Sequence, residues 1–220
     1  MSTSTAPPAS PVPAPVVYIL TDRHALPPGR PLAATVQAAI DGGAAAVVLR
    51  ERDLPRHERA SLADQLQALC APAGARLLFA SCDPRGNRIA PAQGLHLRVD
   101  EPLPTVRPAL LGRSTHTAAE IVLATAEGCD YLTISPVAPT TSKPGYGPPI
   151  GASGLHRILS TAQAATPHPI RGALALGGVT SRNAGSFISA GAHGVAVMGE
   201  VMRAEHPDHV VADLLAAVHP

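Results

Sequence analysis

Three groups of residues in this 220-residue chain have the types and spacing to hold anions. One is the run Thr140-Thr141-Ser142-Lys143, three hydroxyls followed by an ammonium, inside the long segment SPVAPTTSKPGYGPPIG (135–151). Pro136, Pro139 and Pro144 restrict that segment and lower the entropy of ordering it around a ligand. Another is the pair Gly177-Gly178 together with Met198-Gly199, each following a β-type run and opening a helical one. Glycine lets main-chain N–H groups approach an anion, and a helix start adds partial positive charge, so both loops fit a phosphate group. Thr180, Ser181 or Asn183 can cap the first of these helices. The last is Arg50-Glu51-Arg52. A period of two puts both guanidinium groups on one side of an extended segment and Glu51 on the other. Two such groups suit bidentate contacts to a diphosphate. Glu51 is alternatively a salt-bridge partner of one of them.

Acid–base and metal chemistry has fewer candidates. Asp83, Asp100 and Glu101 are hard oxygen ligands near strand ends, and Mg²⁺ on a substrate diphosphate needs only one or two carboxylates. His116 titrates in the range useful for proton transfer, beside the alternative of a packed histidine. His206 and His209 lie near the C-terminus and are not taken as metal ligands. The chain has one lysine, Lys143, among 17 Lys and Arg. Where nearly every cation is Arg, a single Lys points to a need for a compact ammonium.

Composition removes other classes. Apolar residues are 45% and charged residues 15%, so the chain is neither disordered nor a coiled coil. A net charge of +1 gives no electrostatic case for nucleic acid or an anionic membrane surface. Aromatics are 2%, too few for base-stacking platforms or cation cages. Cys70, Cys82 and Cys129 are scattered and outside any ligand spacing, which fits a reducing, cytoplasmic setting. No apolar run approaches the ~20 residues of a membrane span.

The elements that must position these groups alternate along the chain. Residues 1–15 carry no charge and no apolar core segment, and are expected to form a disordered tail. From 16 to 220, aliphatic runs predict strands at Val16–Leu20, Ala46–Leu49, Leu77–Ala80, Leu95–Leu97, Ala109–Leu111, Tyr131–Ile134, Ala173–Leu176 and Gly194–Val197. Helical periodicity falls at Leu32–Ile40, Arg56–Leu69, Ala118–Glu127, Leu155–Ala164, Asn183–Ser189 and Asp208–Val218. Eight strand–helix units in one domain predict a (β/α)8 TIM barrel. A doubly wound open sheet is the alternative, but it calls for a Gly-rich turn where Thr21-Asp22-Arg23 stands. The barrel reading puts the anion-binding groups at the carboxyl ends of the strands.

Taken together, the motifs resemble the thiamine-phosphate synthase family with its TenI-like sister branch, the thiazole tautomerases. They read YILTD at Tyr18–Asp22, VVLRER at Val47–Arg52, GLHL at Gly94–Leu97 and GRSTHT at Gly112–Thr117. CDYLTISPVAPTTSK at Cys129–Lys143, ALGGV at Ala175–Val179 and GAHGVAVMG at Gly191–Gly199 complete the series.

The resemblance implies a (β/α)8 transferase that joins hydroxymethylpyrimidine diphosphate to a thiazole phosphate and releases pyrophosphate. By position it implies Arg50, Arg52 and Lys143 on the diphosphate with Ser114 close by. It also implies Thr140, Ser142, Gly177, Gly178, Met198 and Gly199 around the thiazole phosphate, and Asp83 and Glu101 toward Mg²⁺. Departures concentrate in the pyrimidine-diphosphate half. Val48 stands where the synthase has Gln, Ser81-Cys82 where it has Asn-Asp, Arg98-Val99 where it has Gly-Gln, and Gly199 where it has Ser. The sister branch offers a thiazole tautomerase with His116 as acid–base group. A non-catalytic thiazole-phosphate binder is a further alternative. Expected partners are small phosphorylated heterocycles, not nucleic acid or membrane, and a homo-oligomer is left open.

Overall fold

The computed structural model describes residues 16–81, 94–140 and 147–219. Eight parallel strands form a closed barrel in sequence order: β1 (Val16–Leu20), β2 (Ala46–Leu49), β3 (Arg76–Ala80), β4 (Gly94–Leu97), β5 (Leu111–Thr115), β6 (Tyr131–Ile134), β7 (Ala173–Leu176) and β8 (Gly194–Val197). β8 pairs back onto β1 with Val17 opposite Val195 and Ile19 opposite Val197. Helices α1 (Leu32–Asp41), α2 (Arg56–Cys70), α3 (Ala118–Ala126), α4 (Gly151–Ala164) and α5 (Ser181–Ser189) follow β1, β2, β5, β6 and β7. The short α6 (Gly199–Met202) and then α7 (Pro207–Val218) follow β8. This is the (β/α)8 TIM barrel that the alternation predicts.

Strand periodicity divides the apolar residues into two cores. Val17 and Ile19, Val47 and Leu49, Leu77 and Phe79, and Val195 and Val197 point outward and pack with the helices. Their neighbours Leu20, Ala46, Val48, Leu78, Ala80, Leu174 and Ala196 fill the barrel interior. Because both strand faces are buried, the strands read as continuous apolar runs rather than alternating ones. The interior also carries polar groups, with Tyr131 in its core and the buried His96 beside it.

Two expectations need correction. The fifth strand is Leu111–Thr115, not Ala109–Leu111. Its polar half is stable because Arg113, only 2% exposed, donates Nη1 to the carbonyls of Arg98, Val99 and Glu101 at 2.8–3.1 Å and lies 2.9 Å from Glu127. The eight full strand–helix units are also too many. Residues 98–110, between β4 and β5, contain only turns and extended chain. Residues 1–15, read as a disordered tail, lie outside the described residues, as do 82–93 and 141–146.

Candidate active site

A cavity of about 490 Å³ opens at the carboxyl ends of the strands. Leu20, Val48, Ala80, Leu176 and Ala196 give it an apolar floor. Nine sequence-predicted residues line it: Arg50, Arg52, Ser114, His116, Thr140, Gly177, Gly178, Met198 and Gly199. Glu101 is not among the lining residues, and its carboxylate instead accepts the Arg98 main-chain N–H at 2.7 Å. Asp83, Ser142 and Lys143 lie outside the described residues.

The β2 end sets the first anion-binding group. Arg50 and Arg52 both face the cavity, while Glu51 turns away into a buried site and accepts the main-chain N–H of Arg23 at 3.1 Å and its Nη1 at 2.9 Å. Glu51 thus neutralises Arg23 and neither of its neighbours. The Arg50 main chain is fixed by Thr21, whose Oγ1 accepts its N–H at 2.9 Å. Burial pushes the Arg52 guanidinium below its ordinary pKa; Glu101 opposes this, and Arg50 and Arg98 add to it. A guanidinium stays charged through such a shift, so Arg52 is a cation held among cations.

The β6–β7 and β8 ends set the second group. The base of the segment after β6 extends the ladder onto β7: Val137 N–H donates to Leu176 O at 3.0 Å and Ala138 N–H to Gly177 O at 2.9 Å. Ile150 and Gly151 then close the same segment by donating to Pro136 O and Val137 O, each at 3.0 Å. Gly177 and Gly178 have φ of +92° and +70°, and a Cβ on Gly178 would collide with the Pro139 carbonyl. Both positions therefore require glycine. Past them, Thr180 N–H donates to Asn183 Oδ1 at 2.8 Å, and Asn183 Nδ2 donates to Gly178 O at 3.0 Å, which fixes the turn into α5. Gly199 begins α6, whose first N–H groups have no intrahelical acceptor.

On the β5 side, His116 is held by its main-chain N–H on Glu120 Oε2 at 2.6 Å and by Nδ1 at 2.7 Å from the Ser135 carbonyl. Ser114 Oγ lies 2.9 Å from Nε2 of His96. Burial, aided by the charges of Arg52 and Arg113, drops the His96 pKa to about 3, so the ring is neutral.

Two lining residues, Arg203 and His96, escaped the sequence reading. Arg203 joins Arg50, Arg52 and Arg98, so that among the described residues the cavity has four arginines against one carboxylate, Glu200. His96 lines the cavity beside them. Its signal was a polar residue inside the otherwise apolar run GLHL, in phase with the interior.

The residues described do not assemble a Mg²⁺ site. Glu101 is directed to Arg98 N–H, and Asp100 pairs with the Arg98 guanidinium at 3.0 Å. Among the described residues the one group of three metal-ligating side chains is His206, Asp208 and His209, on a surface recess beyond α6.

Comparison with known proteins agrees with this geometry. The family model described as thiamine monophosphate synthase matches residues 17–201. The thiamine-phosphate synthase of Roseiflexus castenholzii is 36% identical over 214 residues, covering 90% of this chain and 88% of that protein. That of Moorella thermoacetica is 38% identical over 183 residues, covering 80% and 83%. The solved structure of thiamine phosphate pyrophosphorylase from Pyrococcus furiosus matches with TM-score 0.75 and 25% identity, over 93% of this chain and 95% of that one. The matched segment runs from β1 through the glycine loops of β7 and β8, and the chain belongs to the thiamine monophosphate synthase family.

Proposed function

We propose that the cavity joins a pyrimidinylmethyl diphosphate to a thiazole phosphate, with release of pyrophosphate. The broader activity follows from family membership: the chain is a thiamine-phosphate synthase-like enzyme of thiamine biosynthesis. The observation that carries the finer reading is a cavity with two anion-binding ends over an apolar floor. Arg50, Arg52 and Arg98 gather on the β2–β4 side, and the Gly177-Gly178 and Met198-Gly199 main chain with Arg203 on the β7–β8 side. A substrate pair carrying a diphosphate on one partner and a monophosphate on the other matches that division.

In this reading the C–O bond to the diphosphate breaks first and its electron pair leaves with pyrophosphate. The lone pair of the thiazole nitrogen then forms the new C–N bond. The guanidinium groups of Arg50 and Arg52, in a partly dry site, stabilise the charge that develops on the leaving group. Glycine amides with Thr140 and Ser142 hold the thiazole phosphate, and Lys143 joins the arginines on the diphosphate. Of the two carboxylates that the resemblance points to for Mg²⁺, Glu101 is taken by the Arg98 main-chain N–H and Asp83 lies outside the described residues, so the described donors do not fit the ion.

Incubating purified protein with both substrates tests this directly. Thiamine phosphate and pyrophosphate in equal amounts are expected. Intact substrates recovered after long incubation would refute the transfer, and conversion of a thiazole tautomer alone would move the assignment to an isomerase using His116.

A further inference from the structure

Tyr131, His96 and Ser114 form a hydrogen-bonded chain through the barrel interior; the resemblance sets Ser114 near the diphosphate, and Tyr131 and His96 have no role above. Tyr131 on β6 has room because its register partner on β5 is Gly112, where a Cβ would overlap the phenol ring. The Tyr131 hydroxyl lies 2.9 Å from His96 Nδ1, and His96 Nε2 lies 2.9 Å from Ser114 Oγ. Tyr131 and His96 are 3% and 4% exposed, and His96 and Ser114 both line the cavity.

Proton counting fixes the direction of this chain. Burial holds the Tyr131 phenol well above its ordinary pKa, so the O–H is intact and requires an acceptor. Among the described residues the acceptor in range is His96 Nδ1. The neutral imidazole carries one proton, and with Nδ1 accepting, that proton sits on Nε2. Nε2–H therefore donates to Ser114 Oγ, and the serine's own proton is turned away from the histidine.

We propose that Tyr131 and His96 are positioning residues that lock the Ser114 hydroxyl as a hydrogen-bond donor aimed into the cavity, where it takes an anionic oxygen of the substrate. A hydroxyl unconstrained by such a chain can turn its proton and both lone pairs to any partner. With one lone pair taken by His96 Nε2–H, the Ser114 proton is held away from the ring, which favours phosphate oxygens over ligand N–H groups at that point. The ligand half of this inference rests on the function proposed above, whereas the tautomer half does not.

Two measurements on the full chain decide it. In ¹⁵N-histidine NMR of the unliganded protein, His96 should show a protonated Nε2 and a bare Nδ1, and Tyr131→Phe should mix or invert that tautomer. A protonated Nδ1 in the wild type overturns the inference alone, whether or not the variant folds. In calorimetric titration with inorganic pyrophosphate and with inorganic phosphate, Ser114→Ala should weaken one of the two anions about tenfold. Tyr131→Phe should weaken the same anion, and the double variant should bind no worse than Ser114→Ala. Additive losses would mean that Tyr131 acts by packing and overturn the relay. Wild-type protein that binds neither anion would refute the proposed function, and with it the ligand half, leaving the tautomer result standing.

Discussion

Glu51 reaches back from the end of β2 to Arg23 at the end of β1, its two carboxylate oxygens taking the arginine's main-chain N–H at 3.1 Å and Nη1 at 2.9 Å. The carboxylate is 2% exposed, and it fixes the chain between the two cavity-facing arginines, Arg50 and Arg52. Glu51→Gln removes the charge with little change of volume. It should lower stability by about 1–3 kcal/mol in urea unfolding, since an amide cannot satisfy both donors. The KM of the diphosphate substrate should rise more than kcat falls, because the arginines are displaced rather than lost. Unchanged kinetics with lowered stability would limit the pair to a structural role.

Arg52→Lys tests whether a forked cation is needed. The lysine keeps the charge and loses the planar pair of donors. A rise of about tenfold in KM for the diphosphate partner, with the thiazole phosphate unaffected, is the expected steady-state result. Equal effects on both substrates would argue against separate anion-binding ends.

At Gly178, φ is +70° and the neighbouring Pro139 carbonyl occupies the place of a side chain. Gly178→Ala should cost more than about 1 kcal/mol in unfolding free energy and weaken thiazole phosphate. Ala at Gly74, which has φ of +69° but open space around it, serves as a control for backbone strain alone. If both variants bind thiazole phosphate equally well, the close approach at Gly178 has no part in the site.

Acid should unfold the barrel partly through His96. Its pKa is about 3 in the fold against an ordinary 6.5, so between these values the unfolded chain takes up a proton that the fold refuses. Stability should therefore rise with pH across that window and level off above it, by up to about 1.4 kcal/mol per pH unit from this group. Unfolding midpoints measured between about pH 4 and 7 should show a shallower acid limb in His96→Gln. An identical slope would assign the acid sensitivity to other groups.

Lys143→Arg retains charge and reach but replaces a compact ammonium. In a chain with 17 Lys and Arg and one lysine, the change should still reduce kcat/KM. Full activity would make the single lysine an accident of composition.

Particular residues show why some of the barrel was legible and some was not. β2, β7 and β8 begin and end at the predicted residues because each is an unbroken apolar run packed on both faces, and β6 does so with Thr133 as its one aliphatic hydroxyl. β5 slipped by several residues since its second half is Gly112-Arg113-Ser114-Thr115. Those polar side chains find partners distant in sequence: the Arg98, Val99 and Glu101 carbonyls for Arg113 Nη1, an ion pair to Glu127 for its Nη2, and His96 for Ser114; no local pattern reveals them. The site divides the same way. Glycine pairs and the Arg-x-Arg spacing announce main-chain and period-two geometry, which are local. Arg203 reaches the cavity from the end of α6, and His96 enters through a network crossing β5 and β6, so both depend on the closed barrel.

The segment between β6 and α4 stands on adjoining feet, Ile150 and Gly151 hydrogen-bonded to Pro136 and Val137. Closing a stretch whose ends already touch costs little more when it is lengthened, because the entropy grows only with the logarithm of its length. Beyond Pro139, whose carbonyl packs on Gly178, a change of length is therefore expected to cost the eight-strand frame little.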